Sequence, residues 1–191
     1  MKLYYSPGAC SLAAHILLNE INVDFDLERV DLKTHKTEKG ADYYAINPKG
    51  YVPALEINPG LILTENVAVL PFIAQHDAGQ DLIPPSGLGR AKVLEWLGYL
   101  NSELHDEYAV FFDPKITEDE KVRGYATIDK MLKYIDDYLA KSDYDYLVND
   151  RFGPADAYLF VLTNWSKVIH HDLTPFTNIV ALRNKVAERQ S

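Results

Sequence analysis

The sequence predicts two units of different class, an α/β unit over residues 1–78 and an all-α helical bundle over 89–191, joined by a linker at 79–88. Three observations carry this. Short apolar strands alternate with helical periodicity as far as His76. The stretch from Asp77 to Gly89 then loses periodicity and holds Pro84-Pro85 among glycines. Beyond it, every substantial segment reads as helix.

In chain order, Lys2 to Tyr5 is a short apolar strand, Pro7 and Gly8 turn the chain, and Leu12, Ala13, Ile16 and Leu17 mark a helix from about Ser11 to Glu20. Cys10, the only cysteine, therefore lies at a helix N-terminus. Unpaired backbone N–H groups and the macrodipole there favour a thiolate, so Cys10 is expected to be reactive rather than a small buried hydrophobe. Asp26 to Val30 reads as a second strand. The polar stretch Asp31 to Gly40 carries Lys33, His35, Lys36 and Lys39, and suits a solvated loop as well as an anion-facing wall. A weak helical turn follows at Ala41 to Ala45.

Asn47-Pro48-Lys49-Gly50-Tyr51-Val52-Pro53-Ala54-Leu55 leads into a strand with a proline in it. Pro53 has no N–H for a β-ladder, so the strand is an edge there or bends away, and a cis peptide after Val52 is one way to bend. An edge leaves the Val52 N–H and C=O open to an extended peptide-like ligand. Asn58-Pro59-Gly60 turns the chain into the strand Leu61 to Leu63, making a hairpin. Thr64-Glu65-Asn66 opens a helix through about His76. The acidic and amide groups in its first turn suit the dipole, and also suit an ammonium group while the helix N–H groups take a carboxylate.

In the second unit, Val93, Leu94, Trp96, Leu97, Leu100 and Leu104 mark one long amphipathic helix from Arg90, carrying Ser102-Glu103-Leu104-His105. A second helix runs from about Thr117 to Ala140, with Val122, Tyr125, Ile128, Leu132, Ile135 and Leu139 on one face. Gly153 caps a third: Pro154 takes the first position, the Asp156 carboxylate reaches back, and Phe152 with Ala157 forms a staple. Tyr158 to Ile169 is apolar nearly all round, so this helix is the expected buried centre and Asp156 is structural. A last helix takes in Phe176 to Glu188.

Composition bounds the function. The chain has 191 residues, 47% of them hydrophobic, enough for a sizeable core. A net charge of −9 argues against nucleic acid or an anionic membrane as partner. No apolar run reaches membrane-spanning length, and Leu3-Tyr4-Tyr5 before Pro and Gly is too short for a signal peptide, so a cytoplasmic protein is expected. One cysteine excludes an internal disulfide and a CxxC centre. No metal is expected: His170-His171-Asp172 is a poor chelate, because adjacent helical side chains diverge by about 100°.

Strand–helix–strand followed by hairpin–helix, with a cysteine at the first helix start and an X-Pro bond before the third strand, is the order of a thioredoxin-like domain. Ser-Pro-Gly-Ala-Cys-Ser-Leu at 6–12, Asn-Pro-Lys-Gly-Tyr-Val-Pro-Ala-Leu at 47–55 and Leu-Thr-Glu-Asn at 63–66 resemble a bacterial, beta-class glutathione S-transferase, and the likeness runs through essentially the whole chain. The resemblance implies that Val52, with Pro53, pairs with the cysteinyl backbone of glutathione. Glu65 and Asn66 hold its γ-glutamyl end, and Cys10 lies beside its sulfur and can form a mixed disulfide. It implies that His105 faces the glutathione thiol, as proton acceptor or as an imidazolium beside the thiolate, and that Ser102 and Glu103 reach glutathione, often from the neighbouring subunit of a homodimer. Ser11 and, as a fallback, Tyr5 are candidate donors to the sulfur.

The chain also departs from the family pattern. His35 stands where relatives commonly have a lysine for the glycyl carboxylate, with Lys33 or Lys36 to compensate. Tyr51 stands where many have Gln, and Gly98 where some have Asn. Pro71 falls inside the helix after Glu65, at a cost of about 3 kcal/mol in an ordinary interior. The C-terminal segment is short for the family. The expected function is conjugation of the glutathione thiolate to small hydrophobic electrophiles, chemistry that serves detoxification among other roles. Two alternatives are a glutathione-dependent thiol–disulfide or peroxide reductase working through Cys10, and a non-catalytic binding protein on the same scaffold.

Overall fold

The computed structural model describes residues 1–79 and 82–190; positions 80 and 81 of the expected linker and the terminal Ser191 lie outside the described residues. The chain divides into two units, 1–85 and 86–190.

The first unit runs β1 (Lys2–Tyr5), α1 (Leu12–Glu20), β2 (Asp26–Asp31), β3 (Lys36–Thr37), a 3₁₀ turn (Tyr43–Ala45), β4 (Ala54–Asn58), β5 (Leu61–Thr64) and α2 (Asn66–Ala74). These strands form one sheet in the order β3-β2-β1-β4-β5. Only the β1–β2 pair is parallel; β1–β4, β2–β3 and β4–β5 are antiparallel. Alternation sorts β1 between two faces. Leu3, opposite Leu55 in the register, is fully buried on one. Tyr4, opposite Ala54, joins Val30, Tyr43 and Val52 in a small core on the other. Burial of each such leucine is worth about 2 kcal/mol. On α1 the buried residues are Ala13, Ala14, Ile16, Leu17 and Leu18, and α1 packs against α2.

One expectation needs correction, and one left open between two outcomes is decided. The polar stretch 31–40 is not all loop: Val30 pairs with Thr37 and Asp31 with Lys36, and Thr37 is buried. The strand after Pro53 is no edge, because β4 lies between β1 and β5. The chain bends instead, with a cis Val52–Pro53 peptide just ahead of β4.

The second unit begins with α3 (Gly87–Tyr99), which continues without a break through a π-helical turn (Leu100–His105) into α4 (Asp106–Val110). Then come α5 (Glu118–Lys141), α6 (Pro154–Val168) and α7 (Thr177–Ala187). Thr117 and Glu120 close a capping box at the start of α5. The buried stripe of α5 is Gly124, Ile128, Leu132 and Ile135, and Val122, expected on it, is 67% exposed. Gly124 takes its place because the Phe111 ring lies where a Cβ would be, 2.7 Å from the nearest ring carbon. The centre is α6, as its all-round apolarity requires: Ala155, Ala157, Tyr158, Leu159, Val161, Leu162 and Trp165 are buried. Asp156 accepts from the backbone N–H groups of Gly153 and Leu147, each at 2.9 Å, so its role is structural.

Candidate active site

Cys10 stands at the start of α1, two residues past Gly8, whose φ of 75° makes the turn out of β1. Its Sγ–H donates to the Val52 carbonyl at 3.2 Å, and its own carbonyl accepts from Asn66 Nδ2 at 3.2 Å. Burial pushes the Cys10 thiol up to about 11, and the Glu65 charge adds to the rise. The backbone N–H groups of Cys10 and Ser11 and the Asn66 side chain act the other way and are outweighed. The thiolate expected from helix position alone is thus corrected: desolvation wins over the helix terminus. Ser11 is fully buried, and its hydroxyl accepts from the Ser6 N–H at 3.2 Å and donates to the Ser6 carbonyl at 3.4 Å, which ties α1 to the loop before it. Tyr5, half-buried at the end of β1, lies against the His15 ring, which packs on Phe25.

At the other edge of this cluster α2 begins. Glu65 has φ 71° and ψ 124°, a conformation costing a residue with a Cβ about 1–3 kcal/mol. Its carbonyl accepts from Ala68 and Val69, and its carboxylate from Lys49 Nζ at 2.6 Å. Lys49 also donates to Thr64 Oγ1 at 2.8 Å. Asn66 is 3% exposed, and its Oδ1 is buried without a hydrogen-bond partner. An acceptor left in that state costs about 1–3 kcal/mol. Asn66 Oδ1 and the Glu65 carboxylate thus stand on adjacent residues at the start of one helix.

His35 also has a positive φ, 51°. Its ring packs on Tyr44, tilted by 32° with centroids 4.4 Å apart, and crowds Gly50, where a Cβ would meet His35 Nδ1 at 3.1 Å. Gly50, at φ 76°, is therefore required both by its backbone and by its neighbours. The Tyr51 side chain is 73% exposed, whereas its carbonyl is held by Tyr43 and Asn47.

Ser102, Glu103 and His105 belong to the second unit, all on the π-helical turn. Such turns are rare and frequently accompany functional sites. Ser102 Oγ donates to the Gly98 carbonyl at 3.0 Å, and Ser102 and Glu103 are exposed. A Cβ at Gly98 would meet nothing within 4 Å, so no packing reason demands glycine there. The half-buried His105 ring lies 5.2 Å from Trp165 and 6.2 Å from Tyr158, with Nδ1 3.5 Å from Asp106 Oδ1. His171 pairs with Asp129 through Nε2 at 2.9 Å, and among the described residues no group of three or more His, Cys, Asp or Glu is placed to hold a metal.

Two family patterns match, described as "Glutathione S-transferase, N-terminal domain" over residues 1–75 and "Glutathione S-transferase, C-terminal domain" over 92–190. The chain belongs to the glutathione S-transferase family. It is 40% identical to glutathione S-transferase GstA of Escherichia coli O157:H7 over 99% of this chain and 94% of that one. A sphingomonad glutathione S-transferase solved in complex with glutathione superposes with a TM-score of 0.94 at 38% identity, covering 100% of this chain and 94% of that one. A bacterial beta-class transferase from Sphingomonas chungbukensis gives 0.93 at 36% identity, with 99% and 94% covered.

In this transferase the three motif segments at 6–12, 47–55 and 63–66 come together through Cys10–Val52, Cys10–Asn66 and Lys49–Glu65. Two features of the cluster carry little local sequence signal. Lys49 sits in a turn, and nothing in its neighbours marks that it reaches across to Thr64 and Glu65. Tyr43 and Asn47, which meet at the Tyr51 carbonyl, left a signal only in the Asn-Pro start of the motif.

Proposed function

We propose that this transferase binds glutathione along the cluster Cys10, Val52, Glu65 and Asn66 and conjugates its thiolate to small hydrophobic electrophiles. The convergence of the three motif segments on Cys10 is the observation that carries this reading. The half-exposed carboxylate of the strained Glu65 suits the γ-glutamyl ammonium, and buried Asn66 beside it ties the start of α2 to the Cys10 carbonyl. The Val52 N–H, ahead of a proline that has none, suits the cysteinyl carbonyl. His35, with Lys33 or Lys36, and Tyr51 flank the glycyl end. In the reaction, the glutathione S–H gives up its proton, the sulfur forms a bond to the electrophilic carbon, and a leaving group departs with the displaced electron pair. His105 is assigned the proton-accepting role, and Ser102 and Glu103 contacts to glutathione, on the family resemblance. A homodimer is the proposed assembly.

Cys10, protonated and donating to Val52, is adjacent to the chemistry rather than its nucleophile. Calorimetry with glutathione, followed by an assay with chlorodinitrobenzene, tests the reading. Binding and conjugation that survive Cys10→Ala support it. A folded protein that fails to bind millimolar glutathione overturns it, and reductase activity that vanishes in Cys10→Ala while conjugation is absent from both forms moves the function to thiol–disulfide exchange.

A further inference from the structure

Two buried donors meet at one carbonyl in the loop that precedes β4. Tyr43 Oη donates to the Tyr51 carbonyl at 2.8 Å, and Asn47 Nδ2 donates to the same oxygen at 2.7 Å. Tyr43 is fully buried and Asn47 3% exposed. Neither is there by accident of a mobile side chain. The Tyr43 ring is part of the small core with Tyr4, Val30, Val52 and Ala54, and burial pushes its phenol up to about 12, so it remains a donor at neutral pH. Asn47 is fixed by its own backbone: its N–H donates to the Tyr43 carbonyl at 2.8 Å, its carbonyl accepts from Gly50 at 2.9 Å, and Oδ1 accepts from the Lys49 N–H at 3.2 Å.

A carbonyl oxygen has two lone pairs, and here both are taken. The Tyr51 carbonyl and the Val52 N–H belong to one trans peptide plane and point in opposite directions. Two hydrogen bonds on the oxygen therefore fix where the N–H points, where a single bond would leave the plane free to rock about it. The plane on the other side of Val52 is held separately, by Cys10 Sγ on the Val52 carbonyl. We propose that Tyr43 and Asn47 are positioning residues of the glutathione site, clamping the Tyr51–Val52 peptide plane so that the Val52 N–H is presented to the backbone of the bound tripeptide. This inference rests on the proposed function and adds to it two residues that need not touch the ligand.

The test uses Tyr43→Phe, which removes only the hydroxyl, Asn47→Asp, which removes the Nδ2 donor and keeps the acceptor for Lys49, and the double variant. Circular dichroism and thermal melting establish that each is folded; calorimetry then gives the glutathione Kd, and steady-state kinetics give KM for glutathione and kcat. Each single variant is expected to weaken glutathione binding about three- to tenfold, the range of one hydrogen bond, and the double variant more than either. KM for glutathione rises with Kd, while kcat at saturating glutathione changes less than about twofold, the split of lost binding rather than lost chemistry. A purely structural role would instead lower the melting temperature and the active fraction and leave KM unchanged. Should Tyr43→Phe and the double variant fold and bind glutathione as the wild type does, the positioning role is overturned. If the wild type itself fails to bind glutathione, the proposed function falls and this role falls with it.

Discussion

Cys10 donates its thiol proton to the Val52 carbonyl, and with burial pushing that thiol up to about 11, on the order of one molecule in ten thousand carries a thiolate at pH 7. Its alkylation by iodoacetamide is accordingly expected to be slow at neutral pH and still climbing at about pH 10. A plateau below about pH 8 would instead mean that the helix terminus outweighs burial. His105 belongs to a different kind of test, because an imidazole that takes a proton in the rate-determining step contributes about a hundredfold or more. His105→Gln is expected to lower kcat by at least about tenfold with little change in glutathione Kd; an unchanged kcat removes it from the chemistry. The position of Cys10 was legible from Pro7, Gly8 and the helical spacing after them, all local. Its ionisation was not, because burial decides it, and burial depends on chain brought in from far along the sequence, such as Val52, 42 positions away, whose carbonyl lies against the thiol.

At the scale of elements, α6 was the easiest to read because its start is written in adjacent residues: Gly153, Pro154 and Asp156. The carboxylate of Asp156 satisfies two buried N–H groups at once, one in the cap and one, Leu147, in the preceding loop. Asp156→Ala leaves both unpaired and is expected to destabilise the protein by about 3 kcal/mol in urea unfolding, whereas a loss below about 1 kcal/mol would mean that water replaces the carboxylate. Strand β3 lay at the opposite extreme. A two-residue strand has no periodicity of its own, and Lys36–Thr37 is a strand only because Val30 and Asp31 pair with it. Pro53 fell between: its missing N–H forced a choice between an edge and a bend, and the decision rested on β5 lying outside β4, a fact of topology that no local residue records. The clamp on Tyr51 was hidden for a similar reason, since a tyrosine and an asparagine in a polar loop acquire meaning only when they point at the same oxygen.

For the whole molecule, the division into an α/β unit and a helical unit followed from composition and period, which sum over many residues and tolerate local error. The helical unit leaves Leu88, Leu94 and Tyr134 exposed, apolar side chains available to a symmetric second copy. Light scattering is expected to give about twice the 21.7 kDa chain mass, and a monomer at micromolar concentration would overturn the dimer. The π-helical turn at Leu100–His105 reaches further than its six residues. A π turn spends one residue more than an α turn, so everything after it is rephased by about 100° relative to a regular helix. Tyr108 meets Ser166 at 2.5 Å and packs on Trp165 in that rephased setting. Removing a single residue between 101 and 103 would take out that extra residue and let the backbone close as ordinary α-helix with Tyr108 still in phase, whereas drawing the full-length turn into α geometry would make every local hydrogen bond and swing Tyr108 out of the core: a local gain in regularity at the cost of the register on which α4 packs.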